Sequence, residues 1–132
     1  MIITERTYHP NGQLKIEYEI LDGEKHGKFV RYFENGQIAI ESYYVQGKSH
    51  GPWKEYYENG QIAEEAMYIN GEYYIQNFWL ESGEQLLING TGKTIRKYSL
   101  GDVFEQYFEH GRFTGEKNIV SIRIGKFIPK SE

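Results

Sequence analysis

Apolar and other side chains alternate along much of this chain in short runs, and a glycine stands near the end of each run. Around residue 35, one set of alternate positions holds Phe29, Arg31, Phe33, Ile38, Ile40 and Ser42. The other set holds Val30, Tyr32, Ala39, Glu41 and Tyr43. A period of two sends successive side chains to opposite faces of a strand. Asn35-Gly36 lies between the two runs, and this pair predicts a β-hairpin with a two-residue type I′ loop, in which both residues take positive φ. Such a loop sets Phe33 opposite Ile38, Arg31 opposite Ile40 and Phe29 opposite Ser42. The pattern returns further on, with Trp53, Tyr57, Ile62 and Tyr68 on the first face and Tyr56, Ala63, Glu65 and Met67 on the second. Lys54 then falls opposite Glu65, a favourable cross-strand pair, and Glu55 opposite Glu64, a like-charge pair that costs stability. The first face is the more apolar and is expected to be the buried one.

These hairpins are copies of one unit. Asn11-Gly12, Asn35-Gly36 and Asn59-Gly60 are 24 residues apart, and each is followed by Gln and then Leu14, Ile38 or Ile62. Gly23, Gly47 and Gly71 keep the same interval, as do Gly27 and Gly51. A fixed period of this length marks a repeat architecture, in which each unit is one supersecondary element. The fold class is therefore all-β: an elongated antiparallel meander of about five hairpin units of about 24 residues. The whole of 1–132 reads as a single repeat domain, with regular hairpins over 8–75, an irregular, contracted fourth hairpin over 76–92, and a recovered repeat and terminal strand over 93–128. Ile75 stands where a third Gly27-type glycine is expected. The tail alternates at Val120, Ile122 and Ile124, and Lys126, Pro129 and Lys130 suit an edge that must not recruit another chain.

Composition narrows the function. A net charge of −4 argues against nucleic acid, where a basic patch is the first expectation, and gives no support to an anionic membrane partner. The absence of cysteine excludes disulfides and thiolate zinc sites. No stretch approaches the ~20 apolar residues of a membrane-spanning helix, and the N-terminus lacks a signal-peptide apolar run, so a soluble cytoplasmic protein is expected.

Few residues suggest chemistry. The segment "NGTGKT" at Asn89–Thr94 lacks the first glycine of a phosphate loop, since Leu87 stands there, and β-forming residues follow it instead of a helix. His26 and His50 hold one repeat position, about two strand spacings or ~9.5 Å apart, which is awkward for a shared metal ion. Glu55 and Glu64 could act as a hydrolytic carboxylate pair, or could instead pair with Arg31 of a neighbouring strand. The second face carries aligned tyrosines with interleaved carboxylates, a composition suited to binding a protein.

The phrases "YHPNGQLKIEYEILDGEKHGK", "YFENGQIAIESYYVQGKSHGPW" and "YYENGQIAEEAMYINGEYY", with "NGTGKTIRKYSLGD" as a fainter copy, resemble MORN repeats, and more closely the bacterial MORN-variant family. The resemblance implies a curved meander of hairpins. It also implies an antitoxin or immunity role, since many bacterial members carry that label, whereas eukaryotic MORN proteins are associated with membrane lipids or scaffolding. The expectation is a non-catalytic protein-binding module that neutralises a toxin domain by surface occlusion, the acidic rim suiting a basic one. It would act through Tyr32, Tyr43, Tyr56, Glu41 and Glu65, with no cofactor and no metal. The alternatives are a scaffold or lipid-associated protein and, on Glu55 and Glu64, a carboxylate-dependent hydrolase. What differs between copies, Arg31 against Glu55 and Ile40 against Glu64, is where function is expected to lie.

Overall fold

The computed structural model describes residues 1–98, 101–121 and 128–129. The chain runs back and forth through β1 (Ile2–Tyr8), β2 (Leu14–Leu21), β3 (Glu24–Tyr32), β4 (Ile38–Val45), β5 (Lys48–Ser49), β6 (Gly51–Tyr56), β7 (Ile62–Ile69), β8 (Glu72–Trp79), β9 (Gln85–Ile88), β10 (Thr91–Lys97), β11 (Val103–Glu109), β12 (Arg112–Ser121) and β13 (Ile128–Pro129). All belong to one antiparallel sheet whose strand order is the chain order, with β5 and β6 both paired to β4. This is the expected meander. No helix occurs among the described residues, so none is long and apolar enough to cross a membrane.

Two kinds of turn alternate, and the Asn-Gly turns are not of the expected kind. Phe33 N donates to Gln37 O (2.8 Å) and Gly36 N to Phe33 O (3.0 Å), so the loop has three residues, Glu34, Asn35 and Gly36. Gly36 takes φ +89°, whereas Asn35 is not among the positive-φ residues. Ile38 consequently opposes Tyr32, not Phe33. A one-residue bulge at Ala39 then restores the expected pairing of Arg31 with Ile40 and Phe29 with Ser42. The two-residue turns with positive φ at both positions are the other series, Asp22-Gly23, Gln46-Gly47, Asn70-Gly71, Asn89-Gly90 and His110-Gly111. Of the glycines after His26 and His50, Gly27 stands inside β3 and Gly51 opens β6, both at irregularities of pairing.

The asparagine of "ENGQ" works through its side chain instead. Asn35 Oδ1 accepts from Gln37 N (2.9 Å), closing the local turn, and Asn35 Nδ2 donates to Glu58 O in the next such turn (2.9 Å). Asn11 bridges to Glu34 O in the same way (2.9 Å). The fourth turn keeps the three-residue form, with Gly83 N donating to Leu80 O (2.9 Å), but Ser82 replaces asparagine.

The sheet curls in its C-terminal half. Ile75 N donates to Gly111 O (3.2 Å), Gly90 N to Gln76 O (2.7 Å) and Gly111 N to Gly90 O (2.9 Å), which ties two later turns against β8. The approach is close: a Cβ on Gly90 would meet Gly111 N at 2.6 Å. The core lies inside this curl, where Ile75, Phe78 and Leu87 are buried, with Tyr73, Leu80, Leu86 and Phe108 packed around them. Ile75 occupies the position of Gly27 and Gly51, so losing the glycine supplies the core with a side chain, worth roughly 1.5–3 kcal/mol when fully buried.

Burial is not confined to the first face, as the sequence pattern had implied. Val30 of the second face is buried as well, and Ala39 and Ala63, expected on that face, are buried at the bulges. Of the expected terminal strand, Val120 lies in β12 and Pro129 in β13, while Ile122, Ile124, Lys126 and Lys130 lie outside the described residues.

Asn59 closes its own turn onto Gln61 N, and among the described residues its side chain makes no bridge to the next turn. Asn35→Ala is therefore expected to cost about 1 kcal/mol and more than Asn59→Ala, by roughly one exposed hydrogen bond. Urea denaturation of the two variants measures this.

Candidate functional site

The cross-strand registers gather aromatic residues on the first face. In the first unit Tyr18 stacks on Phe29 (5.8 Å between ring centroids) and Phe29 meets Tyr44 edge-on (5.6 Å). Lys25 Nζ sits over all three rings, at 5.2, 5.3 and 5.3 Å. In the next unit Trp53, Tyr68 and Tyr73 meet edge-to-face at 5.9, 5.1 and 6.3 Å.

Glu55 and Glu64 lie beside this second cluster, directly opposite each other as expected. Their partners are not the expected ones. Arg96 of β10 reaches across the curl to Glu64 (Nη2 to Oε1, 2.8 Å), so Arg96, not Arg31, forms the ion pair. Arg96 also lies over the Phe78 ring, 5.5 Å from its centroid. The Tyr73 hydroxyl donates to the other Glu64 oxygen. The Glu64 side chain is only 4% exposed, so both contacts are needed to hold a charge there. Tyr73 is in turn pushed well above its ordinary pKa, by burial first and by Glu64 second. Glu55 has a different environment. Its Oε1 accepts from Trp53 Nε1 (2.8 Å), and among the described residues no cation forms an ion pair with it. Burial raises its pKa, the Trp53 hydrogen bond opposes that rise, the neighbouring Glu64 adds to it, and the charges of Arg96 and Arg31 lower it at longer range.

These groups line a cleft of about 580 Å³, with Glu55, Tyr57, Glu64, Phe78 and Arg96 among its walls. A shallower recess of about 290 Å³ adjoins it, lined by Trp53, Glu55, Glu64, Tyr68, Tyr73 and Arg96. The arrangement offers aromatic surface, one carboxylate ion-paired with Arg96, and one carboxylate whose only direct partner among the described residues is an indole N–H.

The second face carries a continuous row across seven paired strands: Arg6, Glu17, Val30, Glu41, Lys54, Glu65 and Asn77. Two of the nominated residues meet directly, for the Tyr56 hydroxyl donates to Glu41 Oε1 (2.8 Å), with Lys28 Nζ 3.7 Å from the other oxygen. Burial and then Glu41 push the Tyr56 pKa up to about 12. Glu65 accepts from Asn77 Nδ2 (3.0 Å). Tyr43 is exposed, and Tyr32 is half-buried near the turn edge, where its carbonyl lies 2.9 Å from His9 Nε2. The five nominees share a face; Glu41 and Tyr56 are hydrogen-bonded to each other, and Glu65 acts on Tyr56 through its charge.

Sequence reasoning missed Trp53, Tyr73 and Arg96. Arg96 lies beyond the contracted hairpin, where the period no longer assigns partners. Glu55 and Glu64 had a signal, since they replace Arg31 and Ile40 of the preceding copy. The segment Asn89–Thr94 forms a two-residue turn and the start of β10, with no helix behind it. Among the described residues no three His, Asp or Glu side chains gather as a metal site.

Residues 3–22, 25–46 and 49–70 each match the family model described as MORN repeat variant. No curated protein and no solved structure matches the chain.

Opposite stability changes are expected at the two carboxylates. Arg96→Ala strands a buried charge and costs roughly 2 kcal/mol or more, below the ~3–5 kcal/mol of a fully buried pair. Glu55→Gln keeps an acceptor for Trp53 and removes a charge that burial disfavours. Because the folded state favours protonated Glu55, the variant is more stable than the parent at pH 7, and the gain fades as pH falls through the Glu55 pKa. Tyr56 holds its proton more tightly folded than unfolded, so its contribution is intact below about pH 10 and is lost as pH rises toward 12. Tyr56→Phe should show a shallower fall in stability over that interval in thermal melts.

Proposed function

Because the chain belongs to the MORN repeat variant family, we propose that it is a non-catalytic protein-binding module. Its second face is the binding surface, with Tyr32, Tyr43, Tyr56, Glu41 and Glu65 at the centre. In its most concrete form it is a cytoplasmic, immunity-type protein that neutralises a basic toxin domain by occluding it. The observation that carries this reading is the unbroken second-face row from Arg6 to Asn77, set on a single-layer repeat sheet. Repeat stacks form extended surfaces of this kind, and tyrosine with interleaved charge suits a protein partner. The net charge of −4 favours a basic partner over an anionic lipid surface.

A hydrolase reading has support of its own. Glu64 is ion-paired with Arg96, Glu55 is biased toward its protonated form by burial, and both line one cleft. A pair of carboxylates in unlike environments on one cleft is what glycoside hydrolysis requires. On this reading Glu55 is the acid, and turnover of aryl glycosides would vanish in Glu55→Gln.

Co-purification from the native host is expected to yield a basic protein. The double variant Tyr32→Ser, Tyr56→Ser should lose that complex while keeping its β-sheet circular dichroism. Normal binding by the folded double variant would move the interface off the second face.

A further inference from the structure

The two aromatic clusters of the first face occupy matching places in successive units. Phe29 and Trp53 are 24 residues apart, as are Tyr44 and Tyr68. The same interval takes Lys25 to Ser49. The first cluster is therefore occupied by the chain's own ammonium group, held 5.2–5.3 Å from three ring centroids. The second has no lysine to fill it, and its third ring comes from Tyr73. It has instead what an incoming cation needs: an aromatic wall and, on the same recess, the carboxylate of Glu55. Arg96 also lines this recess, but its 2.8 Å ion pair is with Glu64, and it acts on Glu55 only through space, as Arg31 does. Rings attract a cation through their negative faces, and an adjacent carboxylate adds a charge-assisted hydrogen bond.

We propose that the recess formed by Trp53, Tyr68, Tyr73 and Glu55 takes up a lysine side chain of a protein partner, in the place that Lys25 fills in the preceding unit. This deepens the protein-binding reading and rests on it for the source of the lysine. It adds a first-face anchor to a surface assigned above to the second face.

The test uses small probes and no partner, so it fails independently of that reading. In a Trp79→Phe background Trp53 gives the remaining indole N–H resonance, the chain having 2 tryptophans. Titration with N-acetyl-lysine methylamide should shift this resonance saturably. The norleucine analogue, which has the alkyl chain without the charge, should not. Glu55→Gln should weaken the lysine probe about tenfold. Ser49→Lys should install an internal ammonium, displace the Trp53 resonance and abolish the response to added probe. Choline tests a lipid headgroup as the source of the cation, and a response to choline without one to the lysine probe overturns the proposal. So does an equal response to norleucine, or full binding by Glu55→Gln. If Ser49→Lys fails to fold, the norleucine and Glu55→Gln comparisons still decide.

Discussion

An open sheet presents both faces to water, and this chain carries apolar and aromatic residues on both. The ladder of backbone hydrogen bonds does nothing to cover them. Cover has to come from neighbours along the sheet or from the sheet bending over itself, and both are used. In the N-terminal half the rings of Tyr18, Phe29 and Tyr44 shield one another and the stem of Lys25. In the C-terminal half the three backbone bonds linking Ile75, Gly90, Gln76 and Gly111 bring β10 to β12 over β8. The core of Ile75, Phe78 and Leu87, the cleft, and the reach of Arg96 to Glu64 all follow from that closure.

The hairpin architecture was legible because period-two alternation and a 24-residue repeat are local signals. The cross-strand partners Lys54 with Glu65 and Glu55 with Glu64 were legible for the same reason. The turn type was misassigned, because Asn-Gly fits both a two-residue loop and the end of a three-residue one. The bulge at Ala39 hides the difference by restoring the register further along the strand. The curl was not legible at all. It depends on a short β9 and on contacts between residues far apart in sequence, such as Ile75 and Gly111, which no local pattern encodes.

The site shows how a repeat acquires chemistry. The scaffold positions, Asn, Gly and the residues around them, are held constant because every reversal makes the same demands. The variable positions carry the electrostatics. Where one copy has Arg31 and Ile40, the next has Glu55 and Glu64, and burying the second carboxylate required a cation from outside the regular array. The two carboxylates consequently differ, one neutralised by Arg96 and one left against an indole.

The bridges from Asn11 to Glu34 and from Asn35 to Glu58 also give the sheet a mechanical character. Each links one hairpin to the next along a single margin, whereas the curl fastens the far end to β8. Tension applied from the β1 side meets these fastenings one at a time. The regular part of the molecule would then behave as a zip. It would lengthen by one 24-residue unit at each step, about 80 Å of contour, until the force reached the curled core.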